Sequence, residues 1–203
     1  MICYAVVDTN VIVAALLSSR SDSATVQIVE KLLTGDIVPV FSKSIIREYR
    51  EVLLRPKFGF SSQLVHYVLT AIERFGIMVN PSPSGMILPD IKDLPFYEVV
   101  LEKRDDNAYL VTGNKKHFLN MLYVVTPREL LDIIANRSYA QEETSGRNAA
   151  DTNRQSDRNS RQLQSPGPKE SVLDTLRYLE IQTNRLDDEN QYKNRSNDDD
   201  WEH

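Results

Sequence analysis

Short apolar runs alternate with amphipathic ones along the first two thirds of the chain, and that alternation restricts it to a βαβα succession of elements. Apolar runs at about 2–7, 36–40, 77–79, 108–112 and 122–125 read as strands. Amphipathic runs at about 10–18, 23–34, 42–54, 61–75, 94–104 and 127–135 read as helices. The expected architecture is α/β: a central parallel sheet with helices on both faces. In such a sheet, ligands bind in the crevice outside the carboxyl ends of the strands, where strand order reverses.

The first strand ends in an acid. Cys3-Tyr4-Ala5-Val6-Val7-Asp8-Thr9-Asn10 runs straight into the helical stretch Val11 to Leu17. An Asp at that point can hold a metal ion over a substrate phosphate. Asp, Thr and Asn are also favoured helix N-caps, so the run alone is compatible with either role.

Glu48 is the second candidate. In the helix from Ser42 to Leu53, residues Ile45, Ile46, Tyr49, Val52 and Leu53 form one apolar arc, with Glu48 at its edge and Arg47 and Glu51 further out. Arg50 holds the opposite edge, so the position does not by itself distinguish a site from a surface Glu. The third candidate lies in Pro89-Asp90-Ile91-Lys92-Asp93-Leu94-Pro95. There Asp93 precedes a helix with Pro95 in its first turn, an N-cap arrangement that leaves a carboxylate oxygen free. Asp90 and Glu98 are weaker candidates, and Asp105 and Asp106 read as solvated turn charges.

A further strand ends in Val111-Thr112-Gly113-Asn114-Lys115-Lys116-His117. Thr112 and Asn114 stand where a ligand would, and Lys115 and Lys116 can meet phosphates, although paired lysines in a loop are commonly plain surface. His117, followed by Phe118, reads as a structural side chain, and His66 as partly buried helix packing. Cys3 reads as a small buried apolar side chain. The strand ends are therefore dominated by acids. Clustered carboxylates raise one another's pKa. Oxygen ligands without His or Cys suit Mg²⁺ or Mn²⁺ rather than zinc, and such an ion can activate water for phosphodiester hydrolysis.

Charge adds a constraint. Residues 1–137 carry 15 Lys/Arg and 15 Asp/Glu, so the net −5 resides in 138–203. A neutral domain offers no general attraction for nucleic acid, and binding must come from local cations and a metal site. A single Cys and the absence of a signal pattern or membrane-spanning run point to a cytoplasmic protein. The domain is expected to end at residue 137. Residues 138–168, poor in apolar side chains and closing on Ser165-Pro166-Gly167-Pro168, read as a disordered linker. Residues 169–203 read as a short amphipathic helix with a seam of Val172, Leu176, Leu179, Thr183 and Leu186, then an acidic tail.

Together these residues resemble the PIN-domain family, in the branch that contains toxin components of toxin–antitoxin systems. The resemblance covers about residues 1–136 and rests on Asp8-Thr9-Asn10-Val11-Ile12, Glu48, Asp90-Ile91-Lys92-Asp93 with Phe96, and Val111-Thr112-Gly113-Asn114. Ser42, Arg55-Pro56-Lys57 and Val125-Thr126-Pro127-Arg128-Glu129-Leu130-Leu131 fit it too. It implies a Rossmann-like sandwich and a Mg²⁺- or Mn²⁺-dependent endoribonuclease that cuts single-stranded RNA. It also implies a protein antitoxin as partner and, as family members commonly dimerise, a homodimer. Carried over, Asp8, Glu48 and Asp93 would be the metal-binding and catalytic acids, with Asp90 beside them. Many family members have Asp after Thr-Gly where this chain has Asn114, which bears on a second metal position.

The alternative is a PIN fold that binds RNA or protein without cutting it. A phosphotransfer domain fits less well. Haloacid-dehalogenase-like phosphatases need a second Asp where Asn10 stands, and the paired acids of a receiver are missing.

Overall fold

The computed structural model describes residues 2–118 and 121–147, with side chains to Arg137. Five strands, β1 (Tyr4–Val7), β2 (Val38–Phe41), β3 (Ile77–Met78), β4 (Tyr109–Val111) and β5 (Val124–Val125), form one parallel sheet in the order β3-β2-β1-β4-β5. Successive residues Ala5, Val6 and Val7 are all buried, as are Leu110 and Val111, so both faces of the sheet centre are covered. The chain builds outward from β1 through β2 to β3, then returns to pair β4 on the other side of β1. Strand order therefore reverses between β1 and β4, and the crevice lies beyond Val7 and Val111.

Among the described residues six helices flank the sheet: α1 (Thr9–Leu17), α2 (Ala24–Thr34), α3 (Lys43–Leu53), α4 (Ser62–Phe75), α5 (Leu94–Glu102) and α6 (Pro127–Arg147). Their starts follow local sequence. The hydroxyls of Ser23, Ser42 and Ser61 accept N–H bonds from Val26, Ile45 and Leu64, and the Asp8 carboxylate does the same for Asn10. Gly76 closes α4 where the helix meets β2. A Cβ there would stand 2.6 Å from the carbonyl oxygens of Ile72 and Pro39, which leaves room for glycine alone. α5 lies over β1, β2 and β4, while α6 packs against β4 and β5. The core runs through Val6, Ile12, Leu32, Ile45, Leu110 and Phe118, all essentially without solvent contact.

Every strand and helix expected before residue 137 is present. Two points differ. α6 continues to Arg147, well past the expected end near 135 and ten residues into the stretch read as linker. The segment from Ser138 through Glu143 is built from helix-tolerant residues with no Gly or Pro, so its lack of apolar periodicity did not prevent a helix. His66 is exposed on α4, its ring 6.3 Å from that of Tyr67, rather than partly buried. The remainder of the expected linker, 148–168, and the expected helix and acidic tail, 169–203, lie outside the described residues. Among the described residues no helix is long and apolar enough to cross a membrane.

Candidate metal centre

Asp8 stands at the reversal point. Its backbone N–H extends the β1–β4 ladder to Val111 O at 2.9 Å. Its carboxylate caps α1 through Oδ1, which accepts the Asn10 N–H at 2.9 Å, while Oδ2 accepts the Thr112 hydroxyl at 2.6 Å. The cap and the candidate ligand are thus the same side chain. Each oxygen retains a lone pair. Asp8 is 8% exposed, so only a small face of the carboxylate meets the crevice.

Glu48 reaches the same place from α3. Its Oε1 accepts the Thr9 hydroxyl at 2.7 Å, leaving Oε2 available. The neighbouring Tyr49 is buried and donates its hydroxyl to Val7 O, the last carbonyl of β1. That bond pins the second turn of α3 to the strand end and sets Glu48 beside Asp8. Tyr49 counted in sequence only as part of an apolar arc; its polar tip is what registers the helix. Burial pushes the Glu48 carboxyl above its ordinary pKa, the Thr9 bond pulls it down, and the charges of Asp8 and Asp93 push it further up.

Asp93 enters from the short 3₁₀ turn Ile91–Asp93 ahead of α5. Sequence suggested an N-cap, but its side chain makes no capping bond. The capping at this turn is done by Asp90, whose Oδ1 accepts the Lys92 N–H at 3.0 Å. Asp93 instead turns Oδ2 to His117 Nδ1 at 2.9 Å. Its pKa is raised, first by burial and then by the charges of Asp8 and Asp90, against the lowering effect of the His117 bond. Asp8, Glu48 and Asp93 thus come from three separate elements and act electrostatically on one another.

His117, expected to be structural, belongs to this constellation. One ligand atom each from Asp90, Asp93 and His117 lies within 4.8 Å of the others. It is the one such trio of His, Cys or carboxylate groups among the described residues, so Asp8, Glu48 and Asp93 stand further apart than that. The spread is compatible with a hard cation, because Mg²⁺ keeps several waters and is bound directly by only one or two carboxylates. The Asn114 amide nitrogen sits 2.8 Å from His117 Nε2 and 3.0 Å from Nδ1. Donor and acceptor roles are consistent when Nδ1–H donates to Asp93 and Nε2 accepts from Asn114. No sequence spacing signals the Asp93–His117 pair, since its members are 24 residues apart on different loops.

The other candidates fall outside the carboxylate group. Thr112 is fully buried and spends its hydroxyl on Asp8 and on the Asn114 N–H at 3.0 Å, so it positions the acid rather than meeting a ligand. Lys115 Nζ lies 2.9 Å from both oxygens of Glu129, which also accepts the Thr126 N–H in a capping box at the start of α6. Lys116 is exposed and has no ion pair among the described residues. Glu98 holds the backbone of Ser84 and does not face the acids. A cavity of about 440 Å³ between β5 and α6, lined by Leu122, Glu129 and Ile133 among others, includes none of Asp8, Glu48, Asp90 and Asp93.

Fold and crevice together define an α/β protein with an acidic cluster at the topological switch point. The sequence matches the PIN domain family over residues 4–116, more than half of the chain, and the chain belongs to that family. Its members are generally metal-dependent nucleases. No curated protein and no solved structure matches the chain.

Proposed function

We propose that the chain is a metal-dependent endoribonuclease that cuts single-stranded RNA, with Mg²⁺ or Mn²⁺ held among Asp8, Glu48 and Asp93 and with Asp90 beside them. The observation that carries this reading is the convergence of three carboxylates at the β1–β4 reversal, where Asp8 and Asp93 disfavour the ionised form of Glu48 and Asp8 that of Asp93. Such repulsion costs stability, and a cation relieves it. The donor set fits: hard oxygens, with lone pairs left on Asp8 and with Glu48 Oε2 and Asp93 Oδ1 taking no hydrogen bond among the described residues.

A bound ion would supply charge against the scissile phosphate and acidify an attacking water. Asp8, clamped between the Asn10 N–H and Thr112, fixes the site relative to the sheet. Glu48 Oε2 and Asp93 Oδ1 are free to take the water's proton, and a raised pKa suits both to that task. His117 orients Asp93, and Asn114 orients His117. Lys116 is placed to meet a phosphate, and Lys115 joins it by leaving Glu129; that exposed ion pair is weak. By resemblance the nuclease is the toxin of a toxin–antitoxin pair, working in the cytoplasm, restrained by a protein antitoxin and able to form a homodimer.

Labelled single-stranded RNA incubated with Mg²⁺, Mn²⁺ or EDTA tests the reading, with Asp8→Asn purified alongside. Cleavage that needs the ion and vanishes in the variant is the expected result. Equal cleavage by both proteins would sink the assignment. The second reading, a PIN module that binds RNA or protein without cutting, is favoured by Asn114, which presents a neutral amide committed to His117. It predicts RNA or protein binding with no cleavage under either ion.

A further inference from the structure

Beyond the acidic crevice, α3 and the turn that follows it differ in charge from the rest of the domain. Between Lys43 and Lys57 stand five cations, Lys43, Arg47, Arg50, Arg55 and Lys57, against Glu48 and Glu51. All five are exposed. Elsewhere Arg20, Lys31, Lys103, Arg104, Lys115 and Arg128 are ion-paired to acids and Arg74, Lys92, Lys116 and Arg137 are scattered, whereas here five cations within fifteen residues have no ion pair among the described residues. In a domain with no net charge, an unpaired excess of this kind is a local feature.

The stretch ends in a built platform. Arg55 opens a 3₁₀ turn, Pro56–Phe58, that Gly59 closes in the left-handed region at φ 67°. The reversal stacks Phe58 on Phe60, ring centres 5.7 Å apart and planes 16° from parallel. Lys57 Nζ rests 4.8 Å from the centre of the Phe58 ring. Both rings are only partly buried, with one side packed on the core, and a Cβ at Gly59 would meet nothing within 4 Å, so the outside of the turn is open. Stacked aromatics beside unpaired cations are the elements with which proteins hold unpaired nucleotides, rings meeting bases and cations meeting phosphates. The platform is also connected to the acids. Arg55 lies just past the C-terminal end of α3, the helix that carries Glu48, and its charge is felt at the Glu48 carboxyl.

We infer that Arg55, Lys57, Phe58 and Phe60 form a binding subsite for single-stranded RNA, which holds the strand beyond the C-terminal end of α3, the helix that brings Glu48 to the acidic crevice. The inference rests on the nuclease reading for its ligand class. Lys57 would leave the Phe58 ring for a phosphate as a base takes its place, and Arg55 would bridge the platform to the scissile end.

The test uses the full 203-residue chain and a short fluorescein-labelled single-stranded RNA. Binding is read by anisotropy in EDTA across a salt series, which separates it from cleavage. Joint Arg55→Gln and Lys57→Gln should weaken binding about tenfold and reduce the salt slope by about 1.4, the expectation for two lost phosphate contacts on a single strand. Phe60→Leu, which keeps apolar packing against the core, should weaken binding by about fivefold at unchanged salt slope. Arg20→Gln and Arg128→Gln, away from the platform, should bind as wild type does. Circular dichroism melts confirm folding, and the glutamine pair, at exposed positions, keeps the test valid if Phe60→Leu fails to fold. Wild-type affinity in the glutamine pair, or no salt-sensitive RNA binding by wild type, overturns the subsite. Failure to cleave with Mg²⁺ or Mn²⁺ alongside platform-dependent binding would sink the nuclease reading and leave the subsite standing. Cleavage with platform-independent binding would do the reverse.

Discussion

The two halves of the acidic crevice are held in different ways. Asp8, Thr9, Glu48, Tyr49 and Thr112 lie at the ends of β1 and β4 and on α1 and α3, and their bonds tie one regular element to another. Asp90, Asp93, Asn114 and His117 lie on or beside 3₁₀ turns, and there the link between the two loops is the His117 ring, between Asp93 and Asn114. The first half is fixed by the sheet, so altering it disturbs fold and site together. The second is fixed by side chains at the rim, where Asp93 is 19% and His117 29% exposed, so it can be altered with little cost to the fold. The difference teaches that one acidic cluster can combine a rigid anchor with an adjustable arm.

The largest effect is expected at the anchor itself. Asp8→Asn removes a charged ligand while keeping most of its cap, so cleavage should fall by about 10³-fold, corresponding to ~4 kcal/mol of lost transition-state stabilisation. The melting temperature should move by only a few degrees, and single-turnover cleavage with a parallel melt checks both. A loss of fold as great as the loss of activity would show that Asp8 is only a cap.

Thr112→Val and His117→Ala compare the halves directly. Each removes the partner that orients one acid, and each should lower metal affinity or cleavage by about 10- to 100-fold. Thr112→Val also strands buried acceptors on Asp8, which costs about 1–3 kcal/mol of stability. His117→Ala, at the rim, should leave the melt nearly unchanged. Metal titrations beside melts read the split, and equal destabilisation by both variants would erase the distinction between anchor and arm.

A smaller effect concerns pH. The carboxyls of Glu48 and Asp93 bind protons more tightly in the folded chain than unfolded carboxyls do. Their contribution to stability is complete below the ordinary carboxyl pKa of about 4 and is lost as pH rises through the folded values. Mg²⁺ or Mn²⁺ should therefore raise the melting temperature more at neutral than at mildly acid pH. Glu48→Gln, which keeps a hydrogen bond to Thr9, should stabilise the metal-free chain by about 0.5–1 kcal/mol while impairing cleavage. An ion effect independent of pH would break this link between the acids and the metal.

The anchor was legible in the sequence, but of the arm only the acids and Asn114 were, not the His117 contacts that hold it, for a physical reason. Val6 and Val7 announce a strand, and Asp8 follows at the position where a parallel sheet binds ligands. The apolar arc of Ile45, Ile46, Tyr49 and Leu53 placed Glu48 at its edge. These signals are local and periodic. Asp93 reads as a cap with a free oxygen for a metal, but not as the partner of His117, which belongs to a loop that sequence does not place. Thr112 looked like a ligand-facing residue because a strand end does not reveal which side chains the next element covers. α6 ran past its expected end because helix propensity, not apolar spacing, carries its polar continuation.

The smallest effect is expected at Asn114, where the comparison becomes most exact in its demands. In sequence, replacing Asn114 with Asp restores a carboxylate that many family members carry, which argues for tighter metal binding. The structure adds a competing partner, because the amide nitrogen is 2.8 Å from His117 Nε2, and an Asp cannot donate there. The new carboxylate would favour a doubly protonated ring between itself and Asp93, and part of its charge would be spent on that ring. Asn114→Asp should therefore tighten divalent-ion binding by about tenfold or less, and Asn114→Asp combined with His117→Ala should exceed His117→Ala alone by a larger factor than the single change exceeds wild type. Calorimetric titration with Mn²⁺ over the four proteins of that cycle measures the difference. Strict additivity would mean that the Asn114–His117 contact does not govern the arm, and that the carboxylate at this position acts on the metal by itself.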